Sequence, residues 1–180
     1  ITEGVKILTH DYAWSVLKGL NSNSGGAIFG ASGKVSIGNN VFIGMNTIIT
    51  RNVVIGNNVV IGAGSVVTGN CEDNGVYAGN PARKIMDIEE YFCKRKSAQA
   101  EEAKLLAKEY YACYGKKPES HIFHEYFMVF SDKDAVMENS IFSSKMKLCD
   151  NEQQSYNYLQ HNAPAFDSFQ EFMRYCFNEE

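Results

Sequence analysis

The chain has 180 residues, enough for one domain or one and a half, and 44% of them are hydrophobic, which is enough for a packed core. Its net charge of −4 and pI near 5.6 leave no dominant basic surface, which disfavours a nucleic-acid partner. No run approaches the roughly 18 apolar residues that a membrane span requires, and no signal peptide is recognisable. The five cysteines are scattered and odd in number, without a Cys-x-x-Cys pair. They favour reduced thiols in a cytoplasmic protein over disulfides.

The first seven residues have the spacing of a repeat that fills the next part of the chain. Val5 stands two residues before Ile7. In residues 35–68 a small or β-branched residue likewise stands two positions before each recurring aliphatic residue. We therefore interpret residues 1–7 as the end of an earlier coil of the same repeat.

Residues 11–34 interrupt the repeat. His10 and Asp11 come directly after the short strand that ends the first segment. Tyr12 and Trp14 follow, and then a cluster of Gly, Ser and Asn in residues 21–26. An insertion of this length between repeats is expected to project as a surface loop. Long loops on rigid scaffolds are usually functional or disordered, and the aromatic residues favour a function.

Residues 35–68 repeat with a period of six. An aliphatic residue recurs at Ile37, Ile43, Ile49, Ile55, Ile61 and Val67. Corners follow these positions, where Gly and Asn predominate, since both accept a positive φ at low cost. A helical period of 3.6 residues cannot produce this pattern, whereas a fixed hexapeptide period is typical of a parallel β-helix. Three repeats would close one triangular coil of about 18 residues, and stacked coils would align the aliphatic residues in columns.

The composition changes near residue 87. Before it, Gly79 and Pro81 predict a turn. After it, apolar residues at helical spacing predict a long amphipathic helix over residues 88–114, ended by the Gly115 segment. Helical or mixed segments are predicted over 120–130 and 133–148, and a last helix over 167–177, capped by Asp167 or Ser168. The sequence therefore predicts two domains, 1–86 and 87–180, the second a helical extension.

Four segments together resemble the hexapeptide-repeat acyltransferases. They are the repeat itself, Ile7–Asp11, Ile61–Thr68 and Ala78–Ile85. Within that family the chain is most similar to maltose- and galactoside-type sugar O-acetyltransferases and to enzymes that acetylate bacterial capsule or lipopolysaccharide sugars. The resemblance implies a mainly β fold, a left-handed parallel β-helix, assembled as a homotrimer. It also implies acetyl-CoA as the acetyl donor and a sugar hydroxyl of a surface polysaccharide or its precursor as the acceptor.

The resemblance assigns catalysis to His10. A base with a pKa near neutrality can take the proton of an alcohol as it attacks a thioester, and the imidazolium can return a proton to the leaving thiolate. Asp11 either helps to orient the imidazole and bind the acceptor or is a solvated turn residue. Tyr12 and Trp14 either stack on the sugar acceptor or anchor the loop to the coils.

The cofactor residues that the resemblance implies lie at the corners of the repeat and beyond its end. They are Met45, Gly62, Ala63, Gly64, Ser65, Thr68, Asn80, Arg83 and Lys84. Small residues at a corner let a pantetheine arm lie close to the backbone, and Arg83 and Lys84 suit the phosphates of CoA. Met45 supplies its peptide N–H as the expected oxyanion donor. The chain departs from the family in having Met45 where a serine is common and Gly69 where a lysine is frequent.

Three other functions compete with this interpretation. The acceptor can be an antibiotic, serine or an amino sugar instead of a sugar hydroxyl. A metal hydrolase on the same fold needs three histidines around one metal, whereas residues 1–86 contain only His10, so no metal is expected. A non-catalytic trimeric scaffold is the third alternative, against which His10 and the Arg83–Lys84 pair argue.

Overall fold

The computed structural model describes residues 1–21 and 25–178. Its internal contacts divide the chain into two compact units, Ile1–Lys94 and Arg95–Glu180. The division falls inside a helix, a little after the boundary that the change in composition predicts. Residues 22–24 of the predicted 11–34 loop lie outside the described residues.

The first unit is built on three small parallel sheets. The first contains β1 (Lys6–Ile7), β4 (Ile48–Ile49) and β7 (Val66–Val67), and the second contains β2 (Ser36–Ile37) and β5 (Val54–Ile55). The third contains β3 (Val41–Ile43), β6 (Val59–Ile61), β8 (Gly75–Gly79) and β9 (Ala82–Asp87). Consecutive strands of the repeat belong to different sheets, so the chain passes from one side of a triangular coil to the next.

The strand register confirms the predicted coil length. Ile37 pairs with Ile55 and Ile43 with Ile61, so successive coils are 18 residues apart. Ile7 pairs with Ile49, an offset of 42 residues that exceeds one coil by the 24 residues of the 11–34 segment. Residues 1–7 are therefore the end of an earlier coil, as predicted, and the insertion leaves the stack of coils in register.

The interior of the coils is filled by the columns that the sequence predicts. Ile43, Ile49, Ile55, Ile61 and Val67 are at most 1% exposed. The second column is also buried, at Thr47, Val53, Val59 and Ser65. Val35, Ile37 and Val41 pack against this core only in part, because they belong to the first complete coil.

Asparagine and glycine divide the corner positions between them. The left-handed residues recur every six positions, at Asn40, Asn46, Asn52, Asn58 and Gly64. The glycines that follow the buried aliphatic residues do not have a positive φ. Gly44 is needed for close stacking instead, because a Cβ there would lie 2.5 Å from the backbone nitrogen of Ala63 in the next coil. The prediction that both residue types serve positive φ is thus right for asparagine and wrong for Gly44.

The stack of coils ends in an antiparallel hairpin. β8 pairs in parallel with β6, and β9 then pairs antiparallel with β8. The connecting turn contains a cis peptide bond between Asn80 and Pro81, at the place where the sequence predicts a turn. This hairpin holds Arg83 and Lys84 on an exposed strand.

The second unit is helical. Its elements are the rest of α2 (Ile88–Tyr114), α3 (Lys133–Glu138), α4 (Ser140–Met146), α5 (Glu152–His161) and α6 (Phe169–Phe177), with short 3₁₀ turns at Ser120–Phe123, Phe127–Val129 and Leu148–Asp150. A separate short helix, α1 (Trp14–Lys18), lies in the inserted loop of the first unit. The predicted bounds of α2 are confirmed, and Ser168 caps α6 by accepting from the Glu171 N–H at 3.1 Å. The sequence does not predict α1 or α5.

Aromatic residues dominate the core of the second unit. Phe123 and Phe172 are fully buried with their ring centroids 5.2 Å apart, and Phe130 stacks on Phe172 at the same separation. All five cysteines are free thiols. Burial raises the pKa of the Cys71 and Cys176 thiols to about 11. Within the described residues, no helix is both long and apolar enough to cross a membrane.

Candidate active site

His10 lies at the base of the inserted loop. It follows β1 and forms an antiparallel bridge with Ser32, so the two ends of the loop meet at this residue. Backbone hydrogen bonds flank the bridge, from the Asp11 N–H to the Ala31 carbonyl at 3.0 Å and from the Gly33 N–H to the Thr9 carbonyl at 2.8 Å. The backbone of His10 is therefore fixed on both sides although it stands at the start of a long loop.

The imidazole of His10 is exposed. Its Nδ1 lies 3.4 Å from Oγ1 of Thr9, and its ring packs edge-on against Tyr12 with centroids 5.5 Å apart. Nε2 has no hydrogen-bond partner in the part of the chain that the structure describes. An imidazole that contacts Thr9 through Nδ1 and is free at Nε2 can accept a proton from a bound alcohol.

Asp11 contacts the coil and not the imidazole. Its Oδ2 accepts from Nε of Arg51 at 3.1 Å, and its Oδ1 accepts from the Ala13 N–H at 3.0 Å. The Ala13 N–H, and then the Arg51 guanidinium, hold the pKa of the Asp11 carboxyl below its ordinary value. Both side chains are close to half-exposed. The pair ties the start of the loop to the corner after β4.

Arg51 is a residue of this site that the sequence analysis does not select. The signal was present, because Arg51 is the single charged residue in residues 35–68. It occupies a corner position that the other repeats fill with Asn, Met, Ala or Gly. Its partner follows from the fold alone, since 40 residues of chain separate it from Asp11.

The two aromatic residues of the loop form a chain of rings with His10. Tyr12 is 67% exposed, and its ring packs edge-on against Trp14 with centroids 6.2 Å apart. Trp14 begins α1 and is only partly exposed. Tyr12 is thus positioned beside the imidazole with a free face, while Trp14 supports it.

The predicted cofactor corner is compact and mostly exposed. Ala63 and Gly64 are exposed, and no described residue accepts a hydrogen bond from the Ala63 N–H. Ser65 is buried beneath them. Its hydroxyl donates to the Gly62 carbonyl at 2.6 Å and accepts from the Gly79 N–H at 3.2 Å. Ser65 therefore shapes the corner from within, while Ala63 and Gly64 form its surface.

Met45 lies on the same corner, one coil earlier. Its carbonyl accepts from the Gly64 N–H at 2.8 Å, and its side chain is 49% exposed. Among the described residues, no acceptor faces the N–H of Met45, so this donor is available to an oxyanion.

The predicted phosphate contacts lie on and before β9. Asn80 and Arg83 are exposed, and among the described residues the Arg83 guanidinium donates only to the carbonyl of its neighbour Ala82, at 3.0 Å. Lys84 instead pairs with Asp87 at 2.6 Å, and the Asp87 carboxylate raises the pKa of the lysine. Arg83 is therefore the freer of the two cations for an external phosphate.

The predicted residues separate into two groups at opposite ends of one sheet. Met45, Gly62, Ala63, Gly64 and Ser65 precede β4 and β7, near the turn with Asn80. His10, Asp11 and Thr68 follow the strands of the same sheet, beside Arg51. The strands between the two corners belong to the parallel β1–β4–β7 sheet, so a strand length separates the imidazole from the cofactor corner within one chain. One chain by itself does not bring all the predicted residues together.

Comparison with known proteins places the repeat in a family. Residues 34–69 match the family described as bacterial transferase hexapeptide (six repeats). The resemblance inferred from the sequence is thereby confirmed for this segment. No curated protein matches the chain.

Several solved structures are similar to the chain over about half its length. A maltose O-acetyltransferase from Clostridium difficile 630 is 40% identical over 47% of this chain and 42% of its own, with a TM-score of 0.39. A galactoside acetyltransferase in complex with coenzyme A is 36% identical over 48% of this chain and 43% of its own, with a TM-score of 0.36. AntD, an N-acyltransferase from Bacillus cereus in complex with dTDP and 3-hydroxybutyryl-CoA, is 29% identical over 53% of this chain and 55% of its own, with a TM-score of 0.37. The chain thus spans about half the length of each of these proteins or less.

The described residues contain no group of three or more His, Cys, Asp or Glu side chains arranged to hold a metal ion. His121 and His124 lie in the second unit, each beside a glutamate, at 3.5 Å from Glu119 and 3.3 Å from Glu125.

Proposed function

We propose that the chain is an acetyl-CoA-dependent O-acetyltransferase that acts on a sugar hydroxyl, of a bacterial surface polysaccharide or its precursor. The observation that carries the proposal is the exposed His10, fixed by backbone bonds at the base of the loop and free at Nε2, in a chain that contains a bacterial transferase hexapeptide repeat. Because the proposed donor is acetyl-CoA, we expect the protein to act in the cytoplasm.

His10 is the proposed general base. Its Nε2 takes the proton from the acceptor hydroxyl while that oxygen forms a bond to the thioester carbonyl carbon. As the bond from that carbon to sulfur breaks, the imidazolium returns the proton to the sulfur, so the products are an acetate ester and free CoA. The Met45 N–H stabilises the oxyanion between these steps. Asp11 acts through the backbone, because its pairing with Arg51 fixes the segment that carries the imidazole.

The residues present fit acetyl-CoA, which would supply an acetyl group already activated as a thioester. The exposed Ala63–Gly64 corner, where the Ala63 N–H has no acceptor among the described residues, suits an extended amide-bearing arm. Arg83 is positioned to donate to phosphate oxygens. Asn80 is a further exposed polar contact near this corner, and Lys84 contributes once it leaves Asp87. Thr68 lies at the other end of the sheet and would contact CoA only from the copy that supplies His10.

We further propose that the coils wind left-handed and that three copies assemble around a threefold axis. The separation of His10 from the cofactor corner supports this assembly, because a neighbouring copy could place its own corner beside His10. Each site would then combine His10 and Tyr12 of one copy with Met45, Ala63 and Arg83 of the next.

The test is release of CoA from acetyl-CoA in the presence of a panel of sugars, with serine and an amino sugar included. Release is followed by chromatography, because exposed thiols such as Cys93 would react with a thiol reagent. We expect His10→Ala to lower turnover at least about a hundredfold, the usual contribution of a general base. His161→Ala is the matched control, since His161 is also exposed but lies in the second unit.

Three outcomes discriminate between the candidate functions. An alkali-labile product indicates an ester, whereas an alkali-stable product indicates N-acylation and overturns the choice of acceptor. Undiminished turnover of His10→Ala overturns the general-base assignment. Absence of CoA binding by calorimetry would leave the scaffold interpretation standing.

A further inference from the structure

The helical unit contains a surface cavity of about 290 Å³ that the proposed transfer chemistry does not use. Pockets for small molecules begin at roughly this size, about 300 Å³, so the cavity suits one small ligand. All of its lining residues lie between Ser120 and Phe169, within the second unit.

Three helix caps converge on this cavity. Asp132 caps α3 by accepting from the Ala135 N–H at 2.9 Å, and Asn139 caps α4 by accepting from the Ile141 N–H at 3.0 Å. Ser168 caps α6 in the same way. Each cap uses one oxygen for its helix. The second oxygen of Asp132 and the amide NH₂ of Asn139 remain for a ligand, and the Ser168 hydroxyl can still donate its proton.

Ser131 adds a polar group that faces the cavity. It lines the cavity and is only 5% exposed. No described residue forms a hydrogen bond with its hydroxyl, and that oxygen is not among the enclosed polar atoms that lack a partner. The hydroxyl is therefore open to the cavity, where it can donate to a ligand and accept from one.

The charge of the lining excludes an anion. Asp132 and Asp167 both line the cavity, and no Lys, Arg or His does. The Asp167 carboxylate has no hydrogen-bond or ion-pair partner among the described residues, although its backbone N–H donates to Glu171 at 2.6 Å. Two carboxylates with no cation on the same lining would repel a phosphate or a carboxylate ligand. A metal ion is disfavoured because no described group of three ligating side chains exists.

The remaining chemistry matches a polyhydroxylated ligand with an apolar face. Hydroxyl groups of a sugar donate to carboxylates and accept from amides, which Asp167 and Asn139 supply. Phe169 is half-buried on the same lining and offers an apolar edge to the C–H groups of a sugar ring, whereas Phe130 and Phe142 are at most 4% exposed and pack in the aromatic core behind it. We propose that this cavity is an accessory binding site for one neutral saccharide unit, separate from the candidate active site.

The inference goes beyond the proposed function, and it can be wrong while the proposed function is right. A saccharide held here would keep a polymeric acceptor attached to the protein between transfers, by raising its effective concentration. Binding does not need His10, and transfer to a free monosaccharide does not need the cavity. The two proposals are therefore tested by different variants.

The experiment is chemical-shift mapping on the full chain with neutral monosaccharides and disaccharides, and with sialic acid and glucuronic acid as anionic counterparts. Neutral sugars should shift the backbone signals of Ser131 and the methyl signal of Ala135, which lies on the lining. Asp167→Asn should weaken binding by about tenfold, since it removes a charge-assisted acceptor without touching a cap. Ser131→Ala should weaken it by about fivefold, the loss of one neutral hydrogen bond. Asp134→Asn is the matched control, because Asp134 lies in α3 but does not line the cavity.

The results decide between clear alternatives. Shifts at Ser131 and Ala135 that weaken in Asp167→Asn and persist in Asp134→Asn and in His10→Ala support the site. Shifts elsewhere, equal binding of anionic sugars, or no shift at millimolar sugar would overturn it. A response to calcium or magnesium salts alone would show a cation site in its place and would also overturn it. Loss of transfer in His10→Ala bears only on the proposed function.

Discussion

Mixing two inactive variants tests whether the active site is shared between copies. The first variant is His10→Ala, and the second is Ala63→Trp, which fills the exposed cofactor corner with a bulky side chain. His10 and Ala63 lie at opposite ends of the β1–β4–β7 sheet, so each variant damages a different corner of the coil. Each variant alone should therefore be inactive while keeping the fold.

The size of the recovery follows from the geometry. Suppose that each site takes its histidine from one copy and its corner from the next. A site is then intact only when the copy that supplies the histidine is the Ala63→Trp variant and the copy that supplies the corner is the His10→Ala variant. Random reassortment in a cyclic assembly makes this true for about a quarter of the sites, each copy having an even chance of either variant. Turnover should thus rise from background to about a quarter of the wild-type value.

The assay is CoA release after the two variants are dissociated, mixed and reassembled. Native mass spectrometry of differently tagged copies verifies that mixed assemblies have formed. If mixed assemblies are present and turnover stays at background, His10 and the corner act within one copy and the shared site is refuted. A double variant carrying both changes in one chain, mixed with itself, gives the background value.

Three further predictions follow from the coils and the site. Gly44→Ala should destabilise the protein by roughly 1–3 kcal/mol, because its methyl group would overlap the next coil. Gly69→Ala is the control and should be neutral or slightly stabilising, because the space around Gly69 is open. Urea unfolding followed by the fluorescence of the single tryptophan measures both free energies of unfolding. Ile49→Ala should cost about 3 kcal/mol in the same assay, since Ile49 is fully buried. Asp11 has a lowered pKa in the folded state, so its contribution to stability is present above its ordinary pKa and is lost as the pH falls through the folded value. Arg51→Met should raise the Asp11 pKa part of the way, measured by carboxyl carbon NMR; an unchanged pKa would contradict the pairing.

The coils are predictable from the sequence because one short rule repeats. An aliphatic residue every six positions specifies the core column, and the structure buries those residues from Ile43 to Val67. The role of glycine is less predictable. The sequence shows Gly44 and Asn46 as neighbouring corner residues, but only stacking of coils reveals that Gly44 provides space while Asn46 provides positive φ.

The helices that the sequence does not predict are short and bury little. α5 contains mostly polar residues, and its single buried side chain is Leu159. α1 has five residues and buries none of them. In contrast, α2 is long enough for its period to be recognised, and Gly115 with a φ of +68° ends it. The polar cavity of the second unit is unpredictable for a related reason, since its caps and Ser131 meet only through tertiary packing.

The inserted loop connects the fold to the proposed specificity. Because its two ends are joined at the His10–Ser32 bridge, the chain leaves the coil and returns at one point, and the 18-residue register continues on both sides. The loop can therefore change in length or composition without disturbing the columns of the core. The imidazole lies on the fixed base, while Tyr12 lies on the part that can vary. We accordingly expect exchange of the loop from Tyr12 onward to change which acceptor is used while leaving the affinity for acetyl-CoA unchanged, a separation that acceptor profiling and calorimetry would measure.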